Sequence, residues 1–517
     1  MNNQQFEKYN AIPKEKFAFA SAEGRLHDQK FDTKPVGYFR DAFRRFCKNK
    51  ASVIAAIIIC LLVLFSLIVP MVSPYTVTYR DQYMKKKLPK TNAFAWLGWD
   101  GCQKQTLSAA DYWKYRAIEK EQGVEVIKKV YKKYEVETYM GTLKFTDTFY
   151  DVYVDSYTSD GTIYILLTGS QYQDLQAYQD ENNVQIIFPA VPELIGAEQF
   201  EANIWYERNM SSLDRNLPIG LNKNDDTVDW HANYISYDGT DGYTSKMRIE
   251  GEGNLQYNYA VKKQGGTYQV RLNYYRYYEY LYGHEASFIF GSDTLGKDIF
   301  IRLAAGARFS LLFAVAISAI NLTIGAIYGA IEGYYGGVAD MVMERITDIL
   351  SGVPFMVVVT LFKLHIADKV GAVGTLLFAF VTTGWIGMAG TVRMQFYRFK
   401  NQEYVLAART LGAKDWRIMW KHIFPNSLGT IVTSCVLVIP GVIFSESSLS
   451  YLGILNLESG STTSVGTLMA NGQGQLSSAP HIILFPALFI ALLMISFNLF
   501  GNGLRDAFNP SLRGSEG

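Results

Sequence analysis

The stretch Gly291-Ser-Asp-Thr-Leu-Gly296-Lys297-Asp298 is one residue away from a nucleotide-binding phosphate loop. It has the two glycines five apart and the lysine, with the apolar run Phe288–Phe290 before it and a helix-like stretch after it. The fault is Asp298. A phosphate loop needs a hydroxyl there to hold Mg²⁺, whereas a carboxylate meets the phosphates with like charge. Other chemistry is sparse. His231 and His284 stand far apart, and "HEASF" lacks the second histidine of a zinc helix. The acidic run "NKNDDTVD" at 222–229 lacks the glycine of a calcium loop. Cys102 is alone in its polar region, so it has no disulfide partner there. No catalytic or metal-binding set is expected. Two carboxylates at the edges of apolar runs, Asp348 and Glu446, are candidate pathway groups, because charge at membrane depth is costly. The alternative places both at the interface, solvated.

Composition shows what positions these groups. The 517 residues carry a net charge of +1 with 49% hydrophobic residues, but the average hides a segregated chain. Uncharged runs long enough for a membrane helix occur at 51–79, 309–331, 370–392, 423–445 and 482–504. A sixth, 339–362, has Glu344, Arg345 and Asp348 near one end and Pro354 in its middle, which a membrane helix tolerates. The expected fold is an α-helical polytopic membrane protein of six transmembrane helices, one plus a core of five (309–504).

Fifty residues precede the first run, which makes it an uncleaved anchor. Just before it, "YFRDAFRRFCKNK" sets Phe39, Ala42, Phe43 and Phe46 against a basic face, the pattern of a helix lying on a membrane surface. Basic flanks stay cytoplasmic. The segment 1–50, the loop 398–422 with its six Lys and Arg residues, and the tail 505–517 are therefore expected inside, and 80–290 outside. That places the 291–308 connecting segment, with its near-phosphate loop, away from cellular ATP.

Region 80–290 reads as an inserted α+β domain between the first two membrane helices. A helix is expected between Ala110 and Tyr134, with Val126, Ile127, Val130, Tyr131 and Tyr134 on one side. Alternation at Leu255, Tyr257, Tyr259 and Val261, a turn at "KKQGG", and alternation again at Tyr268, Val270, Leu272 and Tyr274 predict a hairpin. A second pair of strands would flank "SDG" at 159–161. The period-two tyrosines fit a half-buried sheet face better than a ligand site.

The loop 398–422 holds the most informative pattern. Glu403 opens a short helix in which Tyr404, Ala407, Ala408 and Leu411 recur at helical spacing, with Arg409 beside them. Small side chains at 407 and 408 allow close approach of a partner. Gly412 breaks the helix, and Trp416, Met419, Trp420 and Ile423 form a second apolar face. An ordinary connector resting on the bilayer would show the same pattern.

"EYVLAARTLGAKDWRIMWKHIFPN" resembles the coupling-loop signature of permease subunits of ABC importers, with Ala407, Ala408, Gly412, Ile423 and Pro425 matching. Leu406 stands where that family has Glu. "GSDTLGKDIFIRLAAGARFSL", with Gly291, Asp293, Gly296 and Asp298 at the matching positions, is similar to the outer-face segment of the oligopeptide, dipeptide and nickel branch. "GYYGGVADMVMERITDILSGVP", "ESSLSYLGI" and "FNLFGNGLRDAFNP" resemble further parts of it. The chain departs at Val465, where a Trp is usual, and at Asn502 and Asn509, where Asp is common. The resemblance covers about half the chain, roughly 40–79 and 285–513, and implies a non-catalytic permease that binds no cofactor itself. It would pair with a second, homologous permease as a heterodimer. Two cytoplasmic ATPase subunits that hydrolyse ATP with Mg²⁺ would dock on it, and an extracytoplasmic substrate-binding lipoprotein would deliver the substrate, expected to be a peptide. Membrane lipid surrounds it and no nucleic acid takes part. Nickel remains an alternative cargo, and a membrane-anchored receptor acting through 80–290 an alternative function.

Overall fold

The computed structural model describes residues 38–508 apart from 141–142, 189–201, 212–215, 224, 231–242, 245–260 and 461. A helical bundle carries a folded α/β unit between its first and second long helices. Helix α1 (Tyr38–Lys48) turns at Asn49, whose side chain accepts the Ser52 N–H at 3.3 Å, into α2 (Lys50–Val72). At about 1.5 Å per residue, 23 residues reach the ~30 Å of a hydrocarbon core. Ala42 and Phe46 of α1 are buried against Phe500 and Ala507, so half of the expected membrane-surface face packs on the last helix while Phe43 stays exposed.

The unit between α2 and the next long helix contains two main sheets. Strands β1 (Cys102–Ser108), β2 (Ile127–Met140) and β3 (Leu143–Asp155) form one in the order β1-β3-β2, antiparallel. Strands β4 (Thr162–Thr168), β5 (Ile187–Phe188), β8 (Tyr243–Thr244), β9 (Val261–Gln264) and β10 (Thr267–Asn273) form the other around β10, while β6 (Leu221–Asn222) and β7 (Thr227–Val228) make a small ribbon. Helices α3 (Ala109–Gln122), α4 (Gly169–Asn182) and α5 (Tyr274–Tyr282) pack on them.

Three expectations change here. The helix expected over 110–134 ends at Gly123, whose left-handed φ of 63° turns the chain into β2, so Val126 to Tyr134 belong to the approach to a strand and the strand itself. Isoleucine, valine and tyrosine fit a pleated surface as well as a helix face, and the sheet decides between them. The strands on either side of "SDG" do not pair with each other; β3 joins one sheet and β4 the other. The β9–β10 hairpin turns on Gly265 and Gly266, with φ of 51° and 84°, as a two-residue turn requires. Tyr274 is not in it. Asn273 caps α5 there by accepting the Arg276 N–H at 3.1 Å. Leu255 to Tyr259 lie outside the described residues.

The membrane bundle continues with α6 (Ile299–Tyr335), α7 (Gly337–Ser351), α8 (Phe355–Thr383), α9 (Ile386–Phe399), α10 (Glu403–Thr410), α11 (Asp415–Tyr451, with a π turn at Met419–Ile423), α12 (Val465–Gln473) and α13 (His481–Phe508). Among the described residues five stretches are long and apolar enough to cross a membrane: Lys50–Val72, Ile299–Tyr335, Phe355–Phe399, Asp415–Tyr451 and His481–Phe508. The expected run 339–362 is divided at Gly352–Pro354 between α7 and α8. Inside α8, Gly371 has φ 73° and ψ 174°, so the helix is interrupted there. Helix α6 starts at 299, ten residues before the apolar run, because Arg302 finds partners that let it be buried.

Glycines set the tightest helix contact. In α6, Gly325, Gly329 and Gly333 face α9, and a Cβ on Gly329 would lie 2.1 Å from the Ala389 carbonyl oxygen. This small-residue seam lets two membrane backbones touch.

Candidate functional sites at the two ends of α6

The near-phosphate loop folds as a structural clasp. Gly291 and Gly296 adopt φ of 79° and 74°. A Cβ at Gly296 would meet the Asp81 carbonyl oxygen at 1.7 Å, so only glycine fits. The loop zips onto the chain that leaves α2: Ser292 N–H donates to the Lys87 carbonyl at 2.9 Å, and Lys86 N–H donates to the Asp293 carbonyl at 3.0 Å. The Asp293 carboxylate accepts the Leu295 and Lys297 N–H groups at 2.8 and 2.9 Å. Asp298 caps α6, accepting the Phe300 N–H at 2.9 Å; its burial pushes its pKa up to about 7. The backbone amides that would cradle a phosphate in a nucleotide site are spent on these carboxylates and on the carbonyls of Lys87, Asp293 and Lys297.

A buried ion cluster completes this end. Arg302 binds Asp293 and reaches Glu458 at 2.6 Å, and Lys297 reaches the same Glu458 oxygen at 2.9 Å. Asn471 donates to the other Glu458 oxygen at 3.0 Å. Burial works against the Glu458 carboxylate, yet Arg302 and the donors around it hold its pKa below the usual range. The cluster joins the start of α6, the 452–464 loop and α12. Sequence reasoning missed Arg302, Lys297 and Glu458 as partners; the signal was an arginine in the first turn of an apolar helix.

At the opposite end, α10 sits across the last turns of α6 and α9. Val405 is buried with Phe396, Ile418, Met419 and Ile423, and Ala408 is also buried, whereas Tyr404, Leu406 and Leu411 face away. Leu411 is 88% exposed. This divides the expected docking face: Ala408, 9% exposed, belongs to the inner side, and Tyr404, Ala407 and Leu411 to the outer. Glu403 is exposed in the first turn of α10. Gly412, at φ 81°, closes the helix and sends the chain into α11. Of the second apolar face, Met419 and Ile423 are buried and Trp416 is exposed.

Polar ties hold α10 in place. Tyr334 OH donates to Asp415 at 2.6 Å and accepts from Arg409 at 3.2 Å, and Lys400 Nζ donates to the Gly333 carbonyl at 3.0 Å. Next to them Arg393 grips Asp340 (2.7 Å) and Glu344 (3.1 Å), with Tyr397 donating to Asp340. This cluster was also missed, since its members lie on α7 and α9.

The two carboxylates proposed from sequence lie on separate elements. Asp348 is on the surface of α7, paired with Arg345 one turn back at 2.8 Å. Glu446 is fully buried between α6 and α11, accepting from Ser310 at 2.9 Å and from Ser450 at 3.2 Å. Glu446 is therefore not solvated as the alternative expected: helix packing encloses the end of the apolar run.

Residues 321–514 match the family described as "Binding-protein-dependent transport system inner membrane component", and residues 37–89 match the "N-terminal TM domain of oligopeptide transport permease C". The chain is 45% identical over 224 residues to the oligopeptide transport system permease protein OppC of Bacillus subtilis, covering 43% of this chain and 72% of that protein. It is 43% identical over 225 residues to the dipeptide transport system permease protein DppC of the same organism, covering 43% and 69%. A solved structure of the MetNI methionine ABC transporter in an inward-facing conformation aligns with 40% of this chain and 96% of its own at 14% identity and a TM-score of 0.33, too loosely to bear on the fold. With Gly291–Asp298 and Glu403–Gly412 found at opposite ends of one helical bundle, and with relatives matched over most of their own length, the chain belongs to the family of binding-protein-dependent transport inner-membrane components, in its oligopeptide transport permease C group.

Proposed function

We propose that this chain is one of two permease subunits of an ATP-driven ABC importer of peptides. The chemistry of ATP and Mg²⁺ would take place on two cytoplasmic ATPase subunits, and a separate extracytoplasmic protein would bring the substrate. The relatives' transport of oligopeptides and dipeptides supports the cargo. In this reading six helices cross the bilayer, with the interruption at Gly371 as the turn between the third and fourth. The basic flanks place both termini and α10 in the cytoplasm, and the α/β unit outside.

The observation that carries the mechanism is the two-sided packing of α10. Its inner side (Val405, Ala408) is fixed to α6, α9 and α11, and its outer side (Tyr404, Leu406, Leu411) is left open. A short helix held in this way transmits a push. When the ATPases close, α10 would move with the ends of α6 and α9, and the bundle would switch its open side. Leu406, in place of the acidic residue usual in the signature, adds apolar area to the contact. Gly291, Asp293, Gly296 and Asp298 would clasp the outer end. Glu446 would join α6 to α11 within the bundle.

The test is crosslinking from Leu411→Cys in native membranes, followed by mass spectrometry of the captured protein. An ATPase should be captured, and the capture should fail in a Leu411→Cys/Gly412→Pro double variant, since proline cannot take a φ of 81°. Capture of lipid or unrelated proteins alone would overturn the docking role.

A further inference from the structure

Between α2 and β1 the chain makes a 3₁₀ turn, Asn92–Leu97, with the sequence NAFAWL. The function proposed above makes no use of it. Its side chains point away from the protein: Trp96 is 78% exposed, Leu97 56% and Phe94 44%. Soluble loops do not usually present three large apolar side chains within four residues.

Position says what covers them. Two residues on, Trp99 packs edge-on against Phe290 and Phe485, with ring centroids 5.8 and 5.5 Å apart, and Phe290 stacks on Phe485 at 4.2 Å. Phe94 in turn packs edge-on against Trp99 at 5.4 Å. Phe485 lies in the first turns of α13, one of the five membrane-length helices. The same helix exposes Leu484 and Leu488 beside it. The turn is thus pinned at the level where α13 begins to be apolar, next to the exposed apolar side of that helix.

The backbone suits a poorly hydrated place. Phe94 N–H bonds to the Thr91 carbonyl at 3.2 Å, Gly98 N–H to Ala95 at 3.0 Å, and Trp99 N–H to Phe94 at 3.3 Å; Thr91 N–H closes the loop on the Trp99 carbonyl at 2.9 Å. A segment that meets lipid has to satisfy its own backbone groups in this way. No charge occurs from Thr91 to Trp99, while the exposed Lys85 and Lys86 precede it. An aromatic tip with basic residues behind it matches the headgroup boundary.

We propose that Asn92–Leu97 is an interfacial lipid anchor, inserting Phe94, Trp96 and Leu97 into the leaflet at the His481 end of α13 and seating the α/β unit on the bilayer. The proposal requires only that α13 spans a membrane, so it survives if the assignment of inside and outside is reversed, or if the cargo is not a peptide.

The test uses the full chain in phosphatidylcholine nanodiscs, with and without lipids brominated near the headgroup end of their acyl chains. Subtracting the emission of Trp96→Phe from that of the natural chain isolates Trp96. The expected result is loss of this difference emission in brominated lipid, with no loss to aqueous iodide. Quenching by iodide alone would show a water-exposed tip, and quenching by neither would show a protein cover, from a second subunit or another part of this chain. Either result overturns the anchor. A nitroxide on Trp96→Cys, with the four native cysteines replaced, gives an independent reading: collision should favour dissolved oxygen over a water-soluble nickel chelate.

Discussion

The two ends of α6 are held by the same kinds of group in opposite surroundings. At its start Arg302 and Asp293 are enclosed, with the Arg302 side chain 2% exposed, and Glu458 is partly buried beside them. At its finish Arg393 is one-quarter exposed and divides its charge among Glu332, Asp340 and a half-exposed Glu344, while Tyr334 OH, held by Arg409, reaches Asp415. Buried pairs leave a costly orphan when one partner is lost. Exposed pairs exchange easily with water and add little. The start of α6 is therefore built as a fixed point and its finish as a joint that can rearrange, which suits a bundle driven from the α10 end.

Arg302→Ala should break this contrast most strongly. It leaves the buried Asp293 without its cation, while Glu458 keeps Lys297 at 2.9 Å, and should cost about 3–5 kcal/mol in thermal or denaturant unfolding of the detergent-solubilised protein. A loss as small as that from an exposed pair would show that the clasp is not a fixed point.

A smaller effect should come from pH. Burial raises the Asp298 pKa from 3.8 to about 7. The folded protein holds that proton where the unfolded chain has released it. Stability from this group is full below pH 3.8 and declines as pH rises toward about 7. Asp298→Asn keeps an oxygen for the Phe300 N–H and should flatten this decline in melting curves between pH 5 and 7.5. Equal slopes in both proteins would assign the decline to another group.

Arg393→Ala should cost less than Arg302→Ala, because the Arg393 guanidinium is one-quarter exposed and water can reach the partners it leaves, yet should lower substrate uptake in vesicles well beyond the loss of folded protein. A stability loss matching that of Arg302→Ala would erase the distinction between the two ends. Leu411→Asp should have the smallest structural effect, within about 0.5 kcal/mol for an exposed site, while stopping uptake. Normal uptake in that variant would remove the outer side of α10 from the coupling surface.

The α10 end was the more legible of the two. Glu403 to Gly412 show helical spacing and a glycine stop within ten residues, and the helix forms at Glu403–Thr410 because these signals are local. The inward turn of Ala408 was not legible, since the face it shows depends on where α6 and α9 lie. The clasp motif was conspicuous, but as the wrong chemistry. Its glycines and carboxylates suggest a phosphate site until Asp81, Lys87 and Glu458, distant in sequence, close on it together with the nearby Arg302. The sequence Gly325-x-x-x-Gly329-x-x-x-Gly333 could have revealed the α6–α9 seam, since small residues four apart mark close membrane helices. In the α/β unit, Gly265-Gly266 gave away the hairpin, whereas 126–134 fitted helix and strand alike until β3 paired with it.

Local chemistry determined which segments are apolar enough for membrane helices, where glycine and asparagine turn the chain, and that the near-phosphate loop could not hold Mg²⁺, because each depends on neighbours a few residues away. Tertiary structure alone decided which charges are buried in pairs, which side of α10 remains free, that Glu446 is enclosed, and that Trp99 packs on α13. Those outcomes depend on contacts between segments up to about four hundred residues apart, and no periodicity in a single chain records such distances.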